Sequence, residues 1–172
     1  MKTETAGIGK NERTFGKRTT RPLDTIFPVK NPFLVDTEMK QRTLGQSGIT
    51  VSEIGLGCMS MNFGYGRPSP EKDMIELIHK AVDMDVTLFD TAESYGPYIN
   101  EELVGKALDG LRDKVSIATK CGIAFAADGN LILDARAETL RKSLEGSLKR
   151  LRTDHVDIYY LHRVDPKVPV ED

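Results

Sequence analysis

The chain has 172 residues, 24 Lys and Arg against 26 Asp and Glu, and 39% hydrophobic residues. That is enough apolar material for a core, and a net charge of −2 excludes disorder throughout. The near-neutral balance gives no basic field for nucleic acid, and no apolar run approaches the roughly 18 residues of a membrane helix.

Residues 1–38 show no helical or alternating period and carry Pro22, Pro28 and Pro32. Between Met1 and Pro22 there are six basic residues against two acidic ones, Glu4 and Glu12. A transit peptide would be rich in Ser and poor in acids, and a secretory signal would carry an apolar stretch, so neither fits. The expectation over 1–38 is a disordered extension or a start assigned ahead of Met39, with a targeting peptide as the less favoured reading, and over 39–172 an organised domain.

From Met39 the chain alternates strands and helices. Arg42–Leu44 and Ile49–Val51 flank a Gly45–Gly48 turn, which predicts a β-hairpin. Glu53–Gly57 reads as a short strand. Ser69-Pro70 then offers a capping hydroxyl before a helix with Met74, Leu77, Ile78, Ala81 and Val82 on one stripe. Val86–Phe89 is a strand and Asn100–Leu111 a helix, with Leu103, Val104, Ala107 and Leu108 on one face. Val115–Thr119 is a third strand. Leu140, Leu144, Leu148 and Leu151 mark a third helix, and Val156–Leu161 a fourth strand.

This order is the grammar of βαβ units around a parallel sheet. An open dinucleotide-binding sheet would place a glycine-rich turn after its first strand. Gly55-Leu56-Gly57 gives only G-x-G, with Ser60 at the place of the third glycine. A leading hairpin suits a barrel whose lower end needs closing.

The polar residues gather at the carboxyl ends of the strands. Asp90 ends the second, Lys120 the third and His162 the fourth, with Tyr95 in the loop after Asp90. In a parallel barrel those ends share one rim, where active sites are built. Each residue also has an ordinary reading: Asp90 as a turn cap, Tyr95 as a loop aromatic, Lys120 snorkelling to solvent, His162 satisfied beside Arg163. Four such accidents at three successive strand ends are less economical than one site. A free phenol ionises near pH 10, and an ammonium beside a phenol favours ionisation. A carboxylate keeps the ammonium aimed, and a neutral imidazole can hydrogen-bond a carbonyl oxygen. Such a set suits proton donation to a developing alkoxide, with the hydride coming from a cofactor. One His and one Asp imply no metal. Cys58 and Cys121 lack partners at ligand or disulfide-framework spacing, and the profile reads as a soluble cytoplasmic protein.

Several motifs in order carry a resemblance. Ile54–Met59, Leu88–Gly96, Asn100–Gly105, Ile117–Lys120 and Asp157–Arg163 together resemble the aldo-keto reductase family from about Met39 onward. The resemblance implies an α/β fold, the (β/α)8 barrel, and NADPH-dependent reduction of aldehydes and ketones. By match, Tyr95 would be the proton donor, Asp90 and Lys120 would tune it, and His162 would orient the substrate carbonyl. Gly57 and Met59 would lie in the first-strand loop lining the nicotinamide, with Asp90 near that ring. Asn62–Arg67 and Tyr98 would supply one wall for the small carbonyl substrate, whose identity is not legible. Asp85 and Arg152 stand where the family has glycine, and Ala135 and Ala137 where Ser and Pro commonly open the third helix.

The last residues, Val170–Asp172, fall where the family would begin its fourth helix. About 134 residues remain after the leader, against roughly 250 for a closed barrel. The expectation is therefore the N-terminal half of a (β/α)8 barrel, without the loops that commonly bind phosphate and with little reductase activity as an isolated chain. The alternative is an inactive half-barrel that serves, if anything, as an oligomerising or binding module through its open sheet edges.

Overall fold

The computed structural model describes residues 38–64 and 66–169. The leader expected over 1–38 lies outside the described residues, Glu38 excepted.

Strands β1 (Gln41–Thr43) and β2 (Thr50–Ser52) form the expected antiparallel hairpin, with Arg42 opposite Val51. Gly45 and Gly48 take left-handed backbone in its turn, at φ +55° and +77°. All of β1 is exposed, while Val51 and Ser52 are buried. Ser52 explains the asymmetry. Its N–H donates to Thr87 Oγ1 at 2.7 Å, and the Thr87 N–H donates back to Ser52 Oγ at 2.8 Å. The hairpin is thus fastened at the amino end of the strand that follows Thr87, away from the rim carrying the polar residues.

Four parallel strands make the main sheet: β3 (Gly55–Gly57), β4 (Leu88–Asp90), β5 (Ser116–Cys121) and a last strand, Ile158–Leu161, in sequential order. Helices α1 (Glu71–Asp83), α2 (Ile99–Ala107) and α3 (Ala137–Leu151) make the crossovers. Phe89 and Ile117 lie side by side in register and are fully buried with Ile78, Leu103, Val104 and Leu151. Alternation along the strands turns Leu88, Asp90, Ala118 and Lys120 to the opposite face. The hydrophobic core therefore lies between sheet and helices, and the other face is left for chemistry.

Several elements differ from expectation. Ser69 makes no capping bond: Pro70 is itself the N-cap of α1, and the helix starts at Glu71. Leu77, assigned to the apolar stripe, is exposed, whereas Ile78 beside it is fully buried. Helix α2 stops at Ala107 because Gly110, at φ +76°, turns the chain out of the helix. Residues 122–134 hold a hairpin that was not anticipated, β6 (Ile123–Phe125) paired with β7 (Leu131–Leu133); the last parallel strand is accordingly β8. Asp128-Gly129 between short apolar runs was its signal, with Gly129 at φ +82°.

Packing between α2 and α3 is close. A Cβ on Gly105 would lie 2.3 Å from the Arg150 carbonyl oxygen, so only glycine admits this approach. Glu101, fully buried on α2, accepts from Arg150 Nε at 2.6 Å and from Thr119 Oγ1 at 2.6 Å. It joins α2, α3 and β5 through one carboxylate. Removing either partner of such a buried pair typically costs about 3–5 kcal/mol, because the other charge is left without compensation.

Candidate active site

Asp90 is the last residue of β4, Lys120 lies near the end of β5, and His162 directly follows β8. Register places Asp90 opposite Ala118 and Lys120 opposite Tyr160, which steps their side chains round the carboxyl rim. Tyr95 arrives from the loop joining β4 to α2. Backbone bonds fix that loop: Glu93 N–H to Lys120 O at 3.2 Å, Tyr98 N–H to Glu93 O at 2.8 Å, and Asn100 N–H to Tyr95 O at 3.2 Å. The Glu93 side chain is buried beneath it, facing Ser143 and the backbone of Gly122.

Lys120 holds the cluster together. Its ammonium donates to Asp90 Oδ1 at 2.5 Å, to the Thr91 carbonyl oxygen at 2.7 Å and to Tyr95 OH at 3.1 Å. These three bonds use all three of its hydrogens. The phenol oxygen of Tyr95 is therefore an acceptor from Lys120, and its own hydrogen is free to point elsewhere. Two rings set the plane of Tyr95. Phe63 stacks on it with centroids 6.2 Å apart and planes 19° apart, and His162 meets it edge-on at 5.7 Å.

His162 is half-buried, and burial holds its imidazole below the usual histidine range. The positive charges of Lys120 and Arg163 push the same way, and Asp90 opposes them weakly. Together these effects favour the neutral ring. Its Nδ1 faces Ser94 Oγ at 3.4 Å, which leaves Nε2 for a ligand. Asp90, Lys120, Tyr160, Leu161 and His162 line a cavity of about 280 Å³.

All four polar residues singled out in the sequence thus meet at one place. Gly57 also comes close, opposite Asp90 in register, and a Cβ there would meet nothing within 4 Å. Met59 packs its methyl end toward Gly64 in its own loop. Tyr98, expected in a substrate wall, lays its ring over the Arg150 guanidinium at 4.5 Å. Sequence reasoning missed Thr91 and Asn100. Thr91 acts through its main-chain carbonyl, which carries no residue-type signal; Asn100 read as an ordinary first-turn residue. Neither cysteine competes as a nucleophile: burial pushes the Cys58 thiol up to about 12 and raises Cys121 as well.

The sequence profile of the Aldo/keto reductase family matches residues 53–172. The chain belongs to the aldo-keto reductase family. It is 41% identical over 140 residues to "Probable aldo-keto reductase 1" of Glycine max, covering 81% of this chain and 40% of that relative. The holo form of an aldo-keto reductase from Bacillus halodurans superposes with a TM-score of 0.70 at 34% identity, over 77% of this chain and 43% of that one. An aldo-keto reductase from Klebsiella pneumoniae, solved with NADP and acetate, superposes with a TM-score of 0.54 at 32% identity, over 69% and 38% of the two chains. The chain therefore spans less than half the length of these aldo-keto reductases, and its parallel sheet is part of a (β/α)8 barrel.

Proposed function

We propose that this aldo-keto reductase chain carries the proton-donating half of a nicotinamide-dependent site that reduces aldehydes and ketones to alcohols. The observation that carries this reading is the direction of the bond between Lys120 and Tyr95. Because Lys120 donates to the phenol oxygen, Tyr95 keeps its own hydrogen free to donate to a substrate, beside the cavity that Lys120 and His162 line. Asp90 and the Thr91 carbonyl hold the ammonium in place.

The residues present suit the reactive end of such a cofactor. Gly57 leaves open space beside Asp90, where a flat ring can approach the strand ends. The cavity of about 280 Å³ has room for a ring edge or a small carbonyl, while sites for larger ligands run to roughly 300–1,000 Å³. A nicotinamide bound there supplies the hydride, which no side chain can provide.

The protein's own part is orientation and protonation. His162, neutral and edge-on to Tyr95, offers Nε2–H to the substrate carbonyl oxygen when Nδ1 accepts from Ser94. As negative charge grows on that oxygen, Tyr95 transfers its proton to it. The adjacent Lys120 ammonium stabilises the phenolate left behind. The Nε2 bond to the oxygen strengthens as charge develops, so it favours the transition state over the bound carbonyl.

The test is loss of NADPH absorbance with a reactive aldehyde. It is run on the 172-residue protein alone and on the same protein co-expressed with the C-terminal half of a homologous aldo-keto reductase. Turnover is expected chiefly in the second arm. Tyr95→Phe is expected to lower it at least about 100-fold, the loss of a general acid, with aldehyde KM little changed. Turnover that survives Tyr95→Phe would overturn the reading.

A further inference from the structure

Asn100 is fully buried at the start of α2, and its side chain reaches three residues in two other segments, the loop after β3 and the loop after β4. Its amide nitrogen donates to the Cys58 carbonyl oxygen at 2.8 Å and to Asn62 Oδ1 at 2.6 Å. Its amide oxygen accepts from Thr91 Oγ1 at 2.6 Å. Both amide hydrogens are used, and the main-chain N–H adds the bond to the Tyr95 carbonyl. Each contact leads toward the cluster. Cys58 donates its N–H to the Asp90 carbonyl oxygen at 2.8 Å. Asn62 precedes Phe63, which stacks on Tyr95. Thr91 supplies the carbonyl that anchors Lys120.

A buried asparagine that only satisfied itself at a helix start would need one or two local partners. These partners lie 9, 38 and 42 residues away in sequence, and they converge on the loops carrying Phe63, Asp90 and Tyr95. We infer that Asn100 is a positioning residue: it locks the first-strand loop and the Thr91 segment against α2 and so fixes the spacing of Phe63, Tyr95 and Lys120. It touches no reacting atom and acts through Thr91 and the Asn62–Phe63 segment. The inference builds on the proposed site, yet its geometric content can be read without turnover.

The experiment uses the full 172-residue protein with ring-labelled tyrosine. The Tyr95 resonances are assigned by Tyr95→Phe, and the ring-current shift from Phe63 is calibrated by Phe63→Leu. Asn100→Asp keeps the shape but removes both amide donors. It is expected to abolish most of that ring-current shift while circular dichroism shows the fold retained. A Tyr95 signal unchanged in folded Asn100→Asp would overturn the inference, even if the variant melted at a lower temperature. Asn62→Ala cuts only the arm next to Phe63 and decides the matter by the same signal should Asn100→Asp fail to fold. In the complemented enzyme, Asn100→Asp is expected to lower kcat roughly ten- to hundredfold with aldehyde KM within about twofold, since misplaced groups cost rate before binding. If the parent shows no turnover, the functional reading fails, and the nuclear magnetic resonance result still decides the role of Asn100.

Discussion

Glu93 lies two residues before Tyr95 and is 7% exposed, with its carboxyl facing Ser143 and the Gly122 backbone. Burial raises this carboxyl above its ordinary range and the nearby Glu101 adds to the rise, while hydrogen bonds from Ser143 and the Gly122 backbone and the charge of Arg150 only partly offset it. The consequence for stability has a definite sign. Above the unfolded carboxyl's range, near pH 4.5, the unfolded chain has released a proton that the folded one still holds. Stability therefore falls as pH rises from there through the folded value, and the penalty persists at neutral pH. Glu93→Gln cannot ionise and keeps an acceptor for its neighbours. It is expected to raise the thermal midpoint at pH 7 and to match the parent near pH 4. Melting curves at the two values check this, and an equal offset at both would show that the effect is not electrostatic.

At the scale of elements, the long periodic pieces were the legible ones. The helices and the parallel strands stand within a few residues of where periodicity puts them, because their apolar stripes face a continuous core. The ends were less legible. The Ser69 cap failed because Pro70 carries the chain into α1 without it, and the β6–β7 hairpin was hidden by its brevity. The clustering of Asp90, Tyr95, Lys120 and His162 was legible because strand ends and the loop after the second strand mark it. Thr91 and Asn100 were not, since their work depends on partners brought together only by folding. Arg152 shows how a local departure is tolerated. It caps α3 at φ +56°, left-handed backbone that a side chain adopts at a cost of about 1–2 kcal/mol. Its ion pair with Asp109 is solvent-exposed at both ends and contributes little. Glycine's greater freedom in the unfolded chain offsets part of the relief. Arg152→Gly is expected to stabilise the protein by roughly 0.5–1 kcal/mol, read as a higher urea midpoint at unchanged slope. A lower midpoint would mean that the arginine does more for α3 than its contacts show.

At the scale of the whole molecule, the four-stranded sheet has two edges, β3 and β8, each with a single hydrogen-bonded neighbour among the described residues. Closed barrels avoid this arrangement by pairing first strand with last. The face away from the helices carries the half-buried Leu88 and Ile158 as well as the polar cluster, and Tyr160 on it is 46% exposed. Apolar surface beside open parallel edges is what a second chain can cover, by pairing along the strands and burying the shared face. We propose that a protein of these 172 residues self-associates through that surface. Association follows mass action, so the mean mass from light scattering is expected to rise with concentration across the micromolar range. Co-expression with the C-terminal half of a homologous reductase competes for the same edges and is expected to replace the self-associated species with a one-to-one complex. A single monomeric mass over a hundredfold dilution would show that the edges are protected.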